Sequence, residues 1–311
     1  MPELPEVESL KQSLEPYILN KEISKIQIKL PKIISGKGNK RQVSQQKADL
    51  FQKQVVGKKI TKLYRRAKNL IFFLEDNSLL LIHLKMTGQL VYKSNKQSSK
   101  NLIAGGHPIQ LSEETLPHKH THLIFKLIDP QSVHDQSTAG YLYYNDVRQF
   151  GYILHYPNLG ILESEGHFNC LGLEPLEADF TLDAFDKKLQ TKKGVLKKVL
   201  LDQSVVVGLG NIYADEVCFS AGVRPDRKVQ SLTKKEVKCL YCAIKKIIPR
   251  AVHLGGSSVA NYLLADGSRG NYAREHMVYG RHGQPCKVCD STLKKISLAG
   301  RTTVYCQKCQ Q

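Results

Sequence analysis

Four cysteines near the end of the chain, Cys286-x2-Cys289 and Cys306-x2-Cys309 with sixteen residues between the pairs, restrict what the last segment can fold into more than any other feature. Two such knuckles predict a short hairpin around one tetrahedral zinc, because four thiolates at about 2.3 Å fill every coordination position. The zinc is therefore read as one structural ion. A closed site holds no water, so in an enzyme this metal would not run the chemistry. A redox or disulfide cluster is the competing reading of the same cysteines. From Arg281 to Gln311 six Lys/Arg stand against the single Asp290, a self-repulsion that a nearby polyanion would relieve.

The rest of the chain extends that hint. At 311 residues it is long enough for two domains with their own cores, and its net charge of +18 makes nucleic acid the leading partner, ahead of acidic membranes or proteins. No run of about eighteen apolar residues occurs, and MPELPEVE has neither a basic nor an apolar leader region, so export and membrane spanning are not expected. Free thiols at Cys170 and Cys218 beside a thiolate metal site favour a reducing interior, and a cytoplasmic, nucleoid-associated location is expected.

The first half reads as strands after one opening helix. Val7, Leu10 and Leu14 fall on one helical face, with Pro5 in the first turn and Pro16 as a stop. Strands are predicted at Ile26–Leu30, Ile60–Tyr64, Leu70–Leu74, Leu79–Leu84, Leu123–Ile128, Tyr141–Tyr144 and Tyr152–Tyr156, a pattern for a sandwich or barrel. Lys93–Pro117 is polar and reads as a long loop. After Pro157 the period becomes helical, with one stripe at Leu182, Phe185 and Leu189. A longer one runs through Val237, Leu240, Tyr241, Ile244, Ile247 and Ile248. Cys239 and Cys242 sit inside that longer stripe, without a second pair at metal spacing, and read as core or helix surface.

Several residues could carry chemistry. Val206–Tyr213 places a glycine turn before a new helix, which fits either a phosphate site of backbone N–H groups or an ordinary connection. Lys192, Lys193, Lys197 and Lys198 form one basic cluster, and Arg65, Arg66 and Lys68 another. Each alone reads as a solvated face, whereas together with the basic hairpin they favour a DNA groove. His118, His120 and His122 alternate as on one face of a strand, suited to polar or phosphate contacts. Pro2 follows the initiator methionine, whose removal would leave a secondary amine of pKa about 8. Such an amine condensed with a sugar aldehyde carbon gives a cationic iminium, an electron sink that labilises the adjacent C–H bond. Glu3 could serve beside it as acid or base. The same three letters also open many ordinary proteins.

Taken together, Pro2–Glu8, Arg66–Lys68, His83–Gly88, Lys119–His122, Asp146–Gly151, Gly208–Glu216 and the four-cysteine hairpin resemble the bacterial formamidopyrimidine-DNA glycosylase family, in order and across nearly the whole chain. The resemblance implies an α+β fold. An N-terminal antiparallel β-sandwich with a leading helix (1–158) would pass through a hinge (159–178) to a helix-two-turns-helix domain with a lesion-capping loop (179–276) and a zinc-finger β-hairpin (277–311).

The implied activity is that of a DNA glycosylase and AP lyase in base excision repair, excising oxidised purines and cleaving the strand by β,δ-elimination. Pro2 would be the nucleophile, Glu3 the general acid, Lys68 a proton donor near sugar and phosphate, and Arg301 the phosphate-gripping residue of δ-elimination. His120, Arg148, Lys192, Lys193 and Asn211 would contact DNA. Met86, Arg148 and Phe150 would fill the hole left by an extruded base. Gly255 to Tyr279 resembles the stretch that closes over that base. The expected ligands are one Zn2+ on Cys286, Cys289, Cys306 and Cys309, no organic cofactor, and double-stranded DNA holding oxidised bases or abasic sites, met by a monomer. An endonuclease VIII-like enzyme for oxidised pyrimidines and a catalytically silent damaged-DNA-binding protein are the alternatives. Lys93–Pro117 looks longer than is usual in the family, and 160–169 aligns poorly, which bears on loop contacts and damage preference.

Overall fold

A computed structural model describes residues 1–38, 41, 43–95, 102–106, 116–131, 140–257 and 270–311. The chain divides into two compact units. One comprises Met1–Pro2, Glu6–Phe168 and Ser257–Gly270, the other Glu3–Pro5, Asn169–Gly256 and Asn271–Gln311.

The first unit is built on two antiparallel sheets. Helix α1 (Leu4–Ile18) leads into β1 (Glu22–Ile28), α2 (Gln45–Val55), β2 (Ile60–Arg66), β3 (Asn69–Leu74), β4 (Leu79–His83), β5 (Gly88–Ser94), β6 (Leu102–Gly106), β7 (Thr121–Ile128), β8 (Gly140–Asp146), β9 (Tyr152–Tyr156) and α3 (Leu159–Ser164). Among the described residues the strand orders are β1-β7-β8-β5-β6 and β2-β3-β4-β9. The main core draws on both sheets: Leu63, Phe72, Leu80 and Ile153 from one and Ile26, Leu90, Phe125 and Tyr144 from the other are buried in one cluster. Period-two alternation produces this, since each strand turns alternate side chains inward. Val7, Leu10, Leu14 and Ile18 of α1 join the same cluster.

Three local expectations are corrected. Pro16 does not stop α1, which runs on to Ile18; burial of Ile18 in the core outweighs the lost backbone donor. A second helix, α2, stands where strands alone were expected. Ser44 caps it by accepting the Lys47 amide, and Ala48, Phe51 and Val55 are its only buried side chains. Three apolar anchors among polar neighbours made the period faint. The polar stretch Lys93–Pro117 is not wholly a loop, because β6 lies inside it and pairs with β5 from Gln89↔Gly106 to Lys93↔Leu102; residues 96–101 and 107–115 lie outside the described residues.

Unit two is helical with a terminal hairpin: α4 (Leu182–Gln190), α5 (Leu196–Leu201), α6 (Asn211–Ser220), α7 (Lys234–His253), α8 (Tyr272–Glu275), β10 (Lys294–Leu298) and β11 (Arg301–Tyr305). Its core holds Phe185 and Leu189 of α4 together with Val237, Leu240, Ile244 and Ile248 of α7, the two stripes legible in the sequence. Thr233 and Glu236 close a capping box at the start of α7. Cys239 is partly buried and Cys242 exposed on that helix. By contrast α6 is buried from Tyr213 to Phe219, Asp215 and Glu216 included. A helix covered all round has no amphipathic stripe to read. No helix among the described residues is long and apolar enough to cross a membrane.

Candidate active site

Met86, Arg148 and Phe150 come together on the surface of the first unit. The Arg148 guanidinium lies 4.7 Å from the Phe150 ring centroid and donates to Met86 Sδ at 2.9 Å. Met86 is 41% and Phe150 47% exposed. Large apolar side chains held out in water beside a stacked cation suit contact with base faces better than they suit folding.

Beneath them Asp146, fully buried, ties the two loops together. Its carboxylate accepts from Thr87 Oγ1, from the Arg148 amide at 3.2 Å and from the Gly151 amide at 2.7 Å. A Cβ on Gly151 would meet Tyr144 Oη at 1.8 Å, so the close approach requires glycine. The sequence offers Asp146 no role of its own at the head of Asp146–Gly151; a carboxylate next to a strand end is not recognisable as a hub until the chain has folded.

Lys68, in the same unit, is buried in the β2–β3 turn, and Pro2 is buried too. The neighbouring basic cluster is not a solvated face. Arg65 is 3% exposed, donating to Glu8 at 2.8 Å and to the Ala67 carbonyl at 2.9 Å. Partly buried His83 accepts the Lys85 amide on Nδ1 at 3.0 Å. Burial, with the Lys85 and Lys68 charges adding to it, pushes its pKa down to about 3, so the ring is neutral. The histidines of the Lys119–His122 motif do not share a strand face. β7 begins at Thr121, leaving His118 and His120 in the preceding turn, where His118 Nδ1 accepts the His120 amide at 3.0 Å. Only His122 lies within β7, at a register break between Thr121 and Leu123, and it donates through Nε2 to the Asp146 carbonyl at 2.7 Å.

Backbone conformation sets these positions apart. Seven non-glycine residues have positive φ among the described residues, of which Asn20, Asn77 and Asp290 are types that tolerate it. The other four are Ala67, Lys85, Gln149 and Ala299. The first three immediately precede Lys68, Met86 and Phe150, and Ala299 with Gly300 precedes Arg301. Left-handed backbone in residues with a Cβ is sustained only where surrounding contacts over-determine it, and here it aims the next side chain.

In the second unit the turn Gly208–Tyr213 holds an anion, but the anion is the chain's own. Glu3 accepts from the amides of Gly210 at 2.7 Å, Ile212 at 3.0 Å and Tyr213 at 3.4 Å, at the N-terminus of α6. The helix dipole and the unpaired first-turn amides favour a carboxylate there. These donors therefore serve Glu3 instead of a phosphate oxygen. Gln203 rigidifies the turn, accepting the Gly208 amide at 2.8 Å and donating to the Leu209 carbonyl at 3.0 Å; nothing in the sequence singled it out.

Asn211 donates through Nδ2 to the Thr302 carbonyl at 3.1 Å, and Lys197 donates to the same oxygen at 3.1 Å. Lys197 is no surface cation: fully buried, it pairs with Asp215 at 2.6 Å. Burial raises the Asp215 pKa to about 6, with the Lys197 charge opposing. Asp215 also accepts the Val304 amide at 3.1 Å, while Glu216 accepts those of Met277, Val278 and Tyr279 at 2.8–3.0 Å. Two acids of α6 thereby fasten the hairpin that exposes Arg301. Lys192 pairs with Asp202 at 2.9 Å, and Lys193 is exposed.

The four thiols of Cys286, Cys289, Cys306 and Cys309 lie within 4.8 Å of one another, and none is in a disulfide. Sulfur separations of 3.9 Å (Cys286–Cys309) and 3.4 Å (Cys289–Cys306) bracket the edge of about 3.8 Å that a tetrahedron of thiolates at about 2.3 Å requires. The donor set fits a closed structural metal ion. Residues 258–269, within the stretch expected to close over an extruded base, lie outside the described residues.

A unit of two antiparallel sheets carrying the exposed Met86–Arg148–Phe150 cluster, and a basic helical unit ending in a hairpin with four clustered cysteines, define a nucleic-acid-binding class of protein. Three family models match: the formamidopyrimidine-DNA glycosylase N-terminal domain over residues 1–153, its H2TH domain over 171–262, and the zinc finger found in FPG and IleRS over 283–311. Formamidopyrimidine-DNA glycosylases of Desulfitobacterium hafniense and Carboxydothermus hydrogenoformans are each 37% identical, with full coverage of both chains. Similar solved structures include a Lactococcus lactis FPG mutant in complex with Fapy-dG-containing DNA (TM-score 0.81, 32% identity, full coverage of both chains). Another is the L. lactis Fpg with abasic-site DNA (TM-score 0.81, 31% identity, 99% of each chain). The chain belongs to the formamidopyrimidine-DNA glycosylase family.

Proposed function

We propose that the protein is a bifunctional DNA glycosylase and AP lyase of base excision repair, acting as a monomer on duplex DNA that contains oxidised purines or abasic sites. The observation that carries this reading is the exposed Met86–Arg148–Phe150 cluster. A target base inside a duplex is unreachable, so it must be extruded and the gap filled by side chains of this kind. Relatives captured on Fapy-dG and abasic-site DNA support the substrate class.

The Pro2 nitrogen, freed by removal of Met1, attacks the sugar C1′. The bond to the base breaks, the base leaves with a proton, and the sugar ring opens to a cationic Schiff base. Glu3 exchanges protons during these steps. The iminium acidifies the C2′–H bond; loss of that proton expels the 3′ phosphate, and a second elimination expels the 5′ phosphate. Lys68 donates a proton in the first elimination, and Arg301 grips phosphate for the second. His120, Lys192, Lys193 and Asn211 contribute DNA contacts. Zn2+ held by the four cysteines supplies no chemistry to the reaction and stabilises the hairpin that presents Arg301.

Borohydride added during reaction with a duplex carrying 8-oxoguanine opposite dC should trap a covalent adduct that Pro2→Gly abolishes. No adduct from protein whose mass shows Met1 removed would sink the reading. Preference for thymine glycol over 8-oxoguanine would instead assign the oxidised-pyrimidine activity.

A further inference from the structure

Arg41 reaches the Gln149–Gly151 loop from a segment more than a hundred residues earlier in the chain. Its guanidinium donates to three consecutive carbonyls, those of Gln149 at 2.6 Å, Phe150 at 2.6 Å and Gly151 at 2.7 Å, while Nε donates to its own Gly36 carbonyl at 3.1 Å. We propose that Arg41 is a positioning residue for base extrusion, holding the Gln149–Gly151 backbone in the shape that projects Phe150; this rests on the wedge role assigned above.

Gln149 has φ 55°, and three carbonyls in succession converge on one cation. Convergent carbonyl dipoles repel one another, so a loop of this shape needs a positive group with several donors. Asp146 satisfies the amide side of the loop through Arg148 and Gly151, and Arg41 satisfies the carbonyl side. The fork geometry of arginine allows separate donors to serve neighbouring oxygens, which a lysine ammonium reproduces only in part. The guanidinium also lies 5.8 Å from the Tyr152 ring centroid, which packs it against β9. Without it, Phe150 keeps its chemistry and loses its aim. A wedge out of place delays opening of the stack and leaves no direct mark on bond-breaking.

The test compares wild type, Arg41→Ala, Arg41→Lys and Phe150→Ala on two substrates: a duplex with 8-oxoguanine opposite dC and 2-aminopurine beside it, and a single-stranded oligonucleotide with an abasic site. Arg41→Ala should slow the 2-aminopurine fluorescence rise and lower the ratio of duplex to single-strand cleavage about tenfold, with Arg41→Lys intermediate. Equal losses on both substrates, in the alanine or the lysine variant, would overturn the proposal by reducing Arg41 to a general fold contact. An unchanged ratio in Arg41→Ala, with a lowered ratio in Phe150→Ala, would overturn it as well. If Phe150→Ala itself keeps the wild-type ratio and fluorescence, the wedge reading fails and the role of Arg41 falls with it.

Discussion

Glu3 and Gly210 meet through a 2.7 Å hydrogen bond from the glycine amide to the carboxylate, across 207 residues of sequence. A Cβ at Gly210 would lie 2.4 Å from the Glu3 carboxyl carbon, so the contact is possible only without a side chain there. Gly210→Ala should push the carboxylate off its amides. Excision of 8-oxoguanine is expected to fall by about 10²-fold or more, as for loss of a general acid–base group, while affinity for lesion duplex in a gel-shift assay holds within a few-fold. Glu3→Gln should share that pattern.

Gln149 and the aim of Phe150 yield a stability test. Glycine removes the left-handed penalty of roughly 1–2 kcal/mol but adds entropy to the unfolded chain, so Gln149→Gly should leave the urea midpoint unchanged or slightly raised. Gln149→Val, β-branched, should lower stability by about 1–3 kcal/mol. A midpoint for the valine variant equal to wild type would show that the loop has no need of that backbone.

Removing one ligand of the metal site should release the ion, because three thiolates leave a position open. Cys289→Ser is expected to lose bound zinc in elemental analysis, melt the hairpin and weaken DNA binding at least tenfold. Full DNA affinity in the metal-free variant would falsify a role for the folded hairpin in holding DNA through Arg301.

His83 sets an acid dependence. Its folded pKa of about 3 lies below the unfolded value of about 6.5, so the unfolded chain binds more protons between those limits, and stability falls as pH drops through that window. This one group should make the protein roughly 1–2 kcal/mol less stable at pH 5 than at pH 8. Asn at position 83 keeps an acceptor for the Lys85 amide without titrating, and His83→Asn should flatten that part of the dependence in urea titrations at the two pH values. An identical slope in both proteins would assign the acid sensitivity elsewhere.

Much was legible before folding, for reasons that differ by residue. The stripes of α4 and α7 could be read because each helix buries one face, whereas α6, buried from Tyr213 to Phe219, offers no stripe and was legible only through the glycine turn before it. The cysteine pairs were readable because metal ligation demands short local spacing. Arg65 and Lys197 looked like surface cations in charge runs, and both are buried on carboxylates far away in sequence. Met86 and Phe150 are apolar types that periodicity does not set apart from core residues; only the motifs around them pointed outward, and they stand in solvent.

The amino-acid sequence by itself determined the strand and helix periods, the metal hairpin, the basic character and, through its motifs, the family. Those properties depend on neighbours a few residues apart. Tertiary structure alone decided that the turn amides of α6 hold Glu3 instead of phosphate, and that Asp146 joins the two loops that carry Met86 and Phe150. It also decided which left-handed residues aim the side chains beside them. Each of these is a match between a buried charge or a strained backbone and partners distant in sequence. Burial makes such partners obligatory, and only folding brings them within hydrogen-bonding distance.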